Sequence, residues 1–268
     1  MSEIQVNQRL RKITEEIVEA ITPVLLNNNV AREELMMGAA WLAKLELPLF
    51  VGLNLLYFEG PVVDNQYKGQ PGTEAFVQGP YYVADPVALQ KPYRMPMRDD
   101  EPGTPLLFKA RFVDVNGKAI TGARMDLWQA GNDGTYSNFN ANAPGGNLRA
   151  VMQADDAGEI TVATVRPAPY EAVHEGPIYD FIHLIGYHAW RPAHLHLTLN
   201  AEGFQPLTTQ LFFKGDRILE GIGDGVVGEI KDDLIMDVQS VENSEVASTY
   251  GLPARHEVAE FTFVMRAA

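Results

Sequence analysis

The chain has 268 residues, 46% hydrophobic and 21% charged, so one large or two modest domains with a sizeable core are expected and a disordered chain is excluded. With 35 acidic and 21 basic side chains the formal net charge is −14, a surface that repels nucleic-acid phosphates and anionic membranes. Cysteine is absent, which removes disulfides, zinc–thiolate sites, iron–sulfur clusters and thiol nucleophiles together.

The first residues, MSEIQVNQRLRK, carry no apolar signal core. The most apolar stretch, Leu45 to Phe58, is interrupted by Glu46, Pro48, Gly52 and Asn54 and is too short to span a bilayer. A soluble, acidic, cytoplasmic protein is expected. Leu10, Ile13, Ile17, Val18 and Ile21 recur at three- and four-residue steps, with Arg11, Lys12, Glu15, Glu16 and Glu19 between them. This predicts an amphipathic helix over 10–21, ending near Pro23. A second helix is expected after Asn29, read as its N-cap, presenting Met36, Met37, Ala40, Trp41 and Lys44. Residues 47–57 suggest a short third. Such helices cannot bury themselves alone and must pack on the rest of the chain, on a twin subunit, or on both.

From about residue 74 the period changes to two. Phe108–Phe112 alternates and runs into Asn116-Gly117, a hairpin signal. Ala123–Leu127 alternates next, and Asp133-Gly134 and Asp156-Ala157-Gly158 mark further turns. Strands follow at Ile160–Ala163, His194–Leu199 and Phe261–Met265. Short strands joined by Gly-, Pro- and Asn-rich turns predict a mainly β protein, an antiparallel β-sandwich or barrel behind a helical head.

His194-Leu195-His196 is the most informative tripeptide. On a strand, side chains repeat every two residues, so both imidazoles project from one face while Leu195 and Leu197 enter the core. Two histidines so placed are a chelating pair for a metal. Arg191-Pro192-Ala193 precedes them, and Pro is tolerated at a strand entry. The remaining histidines are His174, His183, His188 and His256. Abundant Asp and Glu allow a two-His-one-carboxylate iron(II) site. Tyrosinate, a hard anionic donor suited to iron(III), is the less usual completion, because the metal must displace a proton of pKa about 10. Tyr136 and Tyr170 stand in loops just after the strands Arg124–Gln129 and Ile160–Val165.

Four runs carry a resemblance. Gly134-Thr135-Tyr136-Ser137-Asn138-Phe139 looks like the first tyrosine motif of the intradiol ring-cleavage dioxygenases, in the catechol and chlorocatechol 1,2-dioxygenase branch. Arg166-Pro167-Ala168-Pro169-Tyr170, followed by Glu175-Gly176-Pro177, looks like the second. Trp190-Arg191-Pro192-Ala193-His194-Leu195-His196 resembles their histidine signature, and Leu207-Thr208-Thr209-Gln210 a following glutamine motif. Asn147-Leu148-Arg149 and Gln78-Gly79-Pro80-Tyr81-Tyr82 fit upstream. The runs occur in family order from about residue 74 to the C-terminus, and the helical head suits the same branch. Departures are Glu171-Ala172-Val173 after the second tyrosine, Tyr187 where Arg is usual, and Gln129 where His is common. The run from Met95 to Gly103 is similar to the chlorocatechol members.

The resemblance implies one iron(III) per subunit held by Tyr136, Tyr170, His194 and His196, with water or hydroxide. It implies that a catechol binds as a dianion, with Tyr170 leaving the metal as it takes a proton and Tyr136 staying. Arg191 would stabilise the anionic substrate and Gln210 would assist by hydrogen bonding. Cleavage with O2 between the two hydroxylated carbons would give a cis,cis-muconate. Leu49, Gly52, Leu53, Val77, Gly79 and Tyr81 align with residues around the substrate ring. The division implied is a helical segment 1–73, for dimerisation and part of the pocket, and a β-sandwich catalytic domain 74–268. A homodimer with a phospholipid at the helical interface belongs to the same expectation. Two rivals remain: an iron(II) oxygenase using the histidines and a carboxylate, and a non-catalytic β-sandwich binding module.

Overall fold

The computed structural model describes residues 8–30, 34, 37, 59–140, 143–184, 186–225 and 230–268. The chain divides into two compact units, Met1–Phe50 and Val51–Ala268.

In the first unit, helix α1 spans Gln8–Asn27. It is longer than the periodicity suggested, because Pro23 lies inside it and does not end it. Proline removes one N–H and strains one turn, and here the helix continues for four more residues. Its end is set by Asn29, which takes the left-handed conformation at φ 50°. Val30 N–H donates to the Leu25 carbonyl at 3.0 Å, and the Asn28 side chain donates to Val24 at 2.8 Å. Asn29 thus closes α1. Glu34 and Met37 are helical, in keeping with the helix expected after Asn29; the rest of that helix, and the one expected over 47–57, lie outside the described residues.

The second unit opens with α2 (Gly60–Tyr67), whose Pro61 sits in the first turn where no donor is missed. The strands are β1 (Tyr93–Arg94), β2 (Pro105–Asp114), β3 (Arg124–Gln129), β4 (Arg149–Gln153), β5 (Glu159–Val165), β6 (Tyr170–Glu171), β7 (Trp190–Arg191), β8 (His194–Asn200), β9 (Leu207–Phe213), β10 (Ile235–Met236), β11 (Val238–Glu242) and β12 (Arg255–Met265). Helices α3 (Pro177–Leu184), α4 (Arg217–Gly221) and α5 (Ser244–Tyr250) lie between them.

Two five-stranded sheets form the sandwich, ordered β1-β5-β2-β12-β11 and β10-β9-β8-β3-β4, and β6 and β7 make a separate two-stranded ribbon. The fold class is the one the alternation predicts, but the sheets are mixed. β2 and β12 run parallel over nine residue pairs, from Leu106↔Glu257 to Asp114↔Met265. Strand direction between distant segments has no local signature, so alternation alone cannot report it.

The Asn116-Gly117 signal closes a short hairpin: Gly117 N–H donates to Asp114 O at 2.9 Å, Asp114 N–H to Lys118 O at 2.8 Å and Ile120 N–H to Phe112 O at 2.9 Å, with Val113 and Ala119 bridged antiparallel. Asp114 Oδ1 accepts from the Asn116 and Lys118 N–H groups, and Gly117 has φ 82°. Yet β2 and β3 on either side belong to opposite sheets. Asp155 Oδ1 accepts from Ala157 and Glu159 in the same way, and again β4 and β5 belong to opposite sheets.

The core fills the space between the inner faces. β8 supplies Leu195, Leu197 and Leu199, β3 supplies Met125 and Leu127, β2 supplies Phe108 and Phe112, and β12 supplies Phe263. Phe112 and Phe263 stack at 5.3 Å. Each fully buried Leu or Phe contributes roughly 1.5–3 kcal/mol. Gln129 ties the sheets at one end: its amide donates to the Val165 carbonyl at 2.8 Å, and Thr164 donates to its oxygen at 2.9 Å. This departure from the family pattern is therefore a buried cross-sheet link.

Candidate metal centre

The centre forms on the outer face of the second sheet, opposite the core. The period of two that sends Leu195 and Leu197 inward sends His194 and His196 outward. Neighbouring strands place Trp128 and Gln210 level with His196. All three are buried, because loops and the ribbon cover this face.

The loop after β3 delivers Tyr136. Gly131 N–H donates to Thr135 O at 2.9 Å, Asp133 caps the turn through Thr135, and Tyr136 N–H donates to Asn140 Oδ1 at 2.7 Å. At Gly134, φ is 77° and an added Cβ would stand 3.0 Å from the Tyr170 Cβ, so glycine lets the two tyrosine loops meet. The run 95–103 braces this loop from outside: Arg98 bonds Asp133 at 2.9 Å and Glu101 at 3.1 Å, and Asn147 donates to Glu101 at 2.8 Å.

The ribbon delivers Tyr170 and Arg191, which are register partners. Three residues after Arg191 the chain enters β8 at His194. The carboxylate of Asp216, which caps α4, accepts from Ala193 N–H at 3.4 Å and fixes this entry.

The donor atoms converge. The Tyr136 hydroxyl lies 3.1 Å from His196 Nε2 and 3.4 Å from His194 Nε2, and the two Nε2 atoms are 3.0 Å apart. The Tyr170 ring is 5.4 Å from that of Tyr136 and 5.7 Å from that of His194. His194 Nδ1 faces the Pro192 carbonyl at 2.7 Å, which puts the proton there and leaves Nε2 a lone pair. His196 Nδ1 lies against the Gln78 backbone without a well-formed hydrogen bond.

Electrostatics favour ligation. Burial, with Arg191 nearby, pushes both imidazoles well below their ordinary pKa, so they stay neutral and able to bind. Burial drives Tyr136 well above the ordinary phenol value, and the neighbouring Tyr170 adds to this. Burial also raises Tyr170, while Arg191 and a hydrogen bond from Tyr136 pull it back. Two nitrogen lone pairs 3.0 Å apart beside two phenol oxygens form a set that a cation of high charge completes. Among the described residues no group of three or more His, Cys, Asp or Glu side chains could hold a metal, so the histidine pair has no carboxylate for an iron(II) triad there.

Arg191 is buried and fully engaged. Nε donates to Asp224 Oδ2 at 3.0 Å, Nη2 donates to Gln210 Oε1 at 2.9 Å, and Nη1 faces His194 Nε2 at 3.3 Å. Asp224 raises its already high pKa, so it remains a cation. Gln210 in turn donates to the Val77 carbonyl at 2.8 Å.

The structure thus brings together Tyr136, Tyr170, His194, His196, Arg191 and Gln210. It also brings three of the expected ring-side residues to them. Val77 holds Gln210, Gly79 packs on His196, and Tyr81 stacks on Tyr136 at 4.4 Å. Glu59 accepts from Gln78 N–H at 2.9 Å and steadies this segment. Leu49, Gly52 and Leu53 lie outside the described residues. The departures near the ribbon act through backbone: Ala172 N–H donates to Ala189 O at 2.8 Å, Tyr81 donates to Ala172 O at 3.3 Å, and Tyr187 is exposed.

Two participants were missed in the sequence. Trp128 stacks on His196 at 4.9 Å and 9°. The alternation of β3, which puts Trp128 and Asp126 on the outer face, could have found it; burial pushes the Asp126 carboxyl up to about 6. Asp224 had no signal, being one acid in a glycine-rich loop.

At Gly79, φ is 74° and an added Cβ would meet His196 Cε1 at 3.4 Å. Gly79→Ala is expected to cost about 1–2 kcal/mol, chiefly backbone strain, with little direct clash. Urea unfolding of the metal-free protein checks this; an unchanged midpoint would mean the strap relaxes freely.

A β-sandwich whose outer face buries two histidines and two tyrosines around a cationic arginine presents the donor set of a metal-binding scaffold. The Dioxygenase family model matches residues 77–267. The chain belongs to that family, on its intradiol, catechol-cleaving branch, and is an intradiol ring-cleavage dioxygenase. It is 32% identical to the chlorocatechol 1,2-dioxygenase of Rhodococcus opacus over 88% of this chain and 92% of that one. It is 34% identical to the hydroxyquinol 1,2-dioxygenase of Rhizobium sp. over 70% of this chain and 62% of the relative. The crystal structure of 3-chlorocatechol 1,2-dioxygenase from Rhodococcus opacus 1CP superposes with TM-score 0.86 at 30% identity, covering 98% of this chain and all of that one. Catechol 1,2-dioxygenase from Pseudomonas arvilla C-1 gives 0.84 at 28% identity, covering 99% and 88%. Among the described residues no helix is long and apolar enough to cross a membrane.

Proposed function

We propose that the protein cleaves catechol, or a methyl- or chlorocatechol, between the hydroxylated carbons at one iron(III) per subunit. The ligands in this reading are Tyr136, Tyr170, His194 and His196. The carrying observation is the convergence of Tyr136 Oη and both Nε2 atoms within 3.4 Å, beside Arg191 Nη1. Iron(III), when bound, supplies the positive charge that binds a catechol dianion and draws electron density from its ring toward attack by O2.

The side chains do the rest. The buried imidazoles remain neutral and add no charge, so two tyrosinates together with a hydroxide would balance the three positive charges of the metal. Tyr170, as a tyrosinate, would take a substrate proton at its phenolate oxygen, on a two-residue ribbon beside Arg191. Arg191 Nη1 faces the developing enolate charge in a site closed to water, where a fixed cation is most effective. Gln210 and Asp224 hold that guanidinium in place. Val77, Gly79 and Tyr81 line the ring side.

The chlorocatechol relatives and the 95–103 run that braces the Tyr136 loop support a substituted ring among the substrates. We also propose residues 1–73 as the dimerisation segment, with a phospholipid at the interface, in a cytoplasmic homodimer. Ile17, Ile21 and Val24 form an exposed apolar stripe on α1 that a partner would cover.

Visible absorption of the purified protein, before and after catechol is added without oxygen, tests the metal assignment. A broad red-purple band that shifts with substrate is expected. A colourless iron-replete protein would remove Tyr136 and Tyr170 as ligands and restore the iron(II) reading.

A further inference from the structure

We propose that Arg149 is the positioning residue that keeps Tyr136 aimed at the histidine pair and offsets the charge of its phenolate. The inference rests on the reading of Tyr136 as a metal ligand.

Arg149 opens β4 on the outer face of the second sheet, register partner of Trp128. It is only 3% exposed. Its fork reaches two loops at once. Nε donates to Ser137 Oγ at 2.7 Å and Nη2 to the Ser137 carbonyl at 3.1 Å. Nη1 donates to the Tyr81 carbonyl at 2.6 Å. Tyr81 is the residue stacked on Tyr136 at 4.4 Å, and Ser137 is its chain neighbour. One guanidinium therefore holds Tyr136 through its own backbone and through the ring that covers it.

None of those three acceptors carries a charge. A buried guanidinium bonded to neutral oxygens is costly unless a negative charge lies near. The guanidinium carbon stands 5.9 Å from the centre of the Tyr136 ring, and Tyr136 and Asp126 are the groups whose negative charge favours the cation. Asp126, its carboxyl raised to about 6 by burial, is still mostly ionised at neutral pH and is one such charge. The Tyr136 phenolate, formed when metal binds, would be the second, with its ring centre 5.9 Å from the guanidinium carbon.

The two tyrosines are thus built differently. Tyr136 is fixed by Asn140 at its N–H, by the Tyr81 stack and by the Arg149 fork. Tyr170 sits on a two-residue ribbon and faces Arg191.

Arg149→Met in the iron-loaded protein tests this, since methionine keeps apolar bulk and removes both fork and charge. The fold, followed by thermal unfolding and far-ultraviolet circular dichroism, is expected to survive. Iron should be lost to the chelator nitrilotriacetate about tenfold faster, the size typical of partners behind a ligand. The tyrosinate band should move to longer wavelength, because the phenolate loses a neighbouring cation. Arg149→Lys keeps charge but cannot span Ser137 and Tyr81; it should restore the band position and not the slow iron loss. A band and release rate unchanged in Arg149→Met would overturn the proposal while leaving the ligand reading intact. An iron-replete wild-type protein without the band would overturn both. If Arg149→Met does not fold, Ser137→Ala removes one fork contact alone; a severalfold faster release is expected, and no change would overturn the proposal.

Discussion

Tyr136→Phe and His196→Ala are each expected to lose iron, and with it the visible band, and to lower turnover by more than about a hundredfold, because outer-shell changes alone reach that size. The two substitutions differ in what else they disturb. Phenylalanine keeps the ring that stacks on Tyr81 at 4.4 Å and meets Tyr170 edge-on, so Tyr136→Phe removes one oxygen and little packing. Its folded state should survive with a midpoint close to wild type. His196→Ala removes a ring sandwiched against Trp128 and opens a cavity, so it should also lose stability. Iron content and anaerobic catechol titration read the metal, and oxygen uptake reads turnover. Unchanged iron and unchanged turnover in both variants would end the assignment of the centre to these residues.

The legible parts of the molecule were those with local causes. The His-x-His pair could be placed because a strand fixes which side chains share a face, and Leu195 and Leu197 do enter the core. The strand Arg124–Gln129 is found as read, and the Asp133-Gly134 turn carries Tyr136 as expected. The parts set by distant chain were not legible. Asn116-Gly117 and Asp156-Gly158 show the chain turning, but not that it turns from one sheet to the other. Pro23 marks a weak point in α1, yet the helix ends where Asn29 turns left-handed. Arg191 was placed by its motif. Its orientation depends on Asp224, 33 residues on, in a loop whose composition announces nothing.

Asp224→Ala is expected to lower stability by about 3–5 kcal/mol, the usual cost of removing one partner of a buried ion pair. Both side chains of this pair are almost inaccessible to water, so solvent screening offers little relief. Arg191→Ala should cost a similar amount and also reduce kcat by about 10²–10³, the scale for losing one fixed charge donor at a developing anion. Asp224→Asn separates the two roles. An amide oxygen can still accept from Arg191 Nε, so the guanidinium keeps its direction while losing its counter-charge. Stability should fall less than in Asp224→Ala, and kcat should stay within about tenfold of wild type if direction is what catalysis needs. The double variant Asp224→Ala/Arg191→Met, set beside the single variants Asp224→Ala and Arg191→Met, supplies the coupling, because removing both charges leaves no buried ion without its mate. It should be more stable than Asp224→Ala alone and as inactive as Arg191→Ala. If the double variant instead adds the two single losses, the pair is two independent contacts. Arg191 would then owe its aim to Gln210, whose oxygen it meets at 2.9 Å, and not to Asp224.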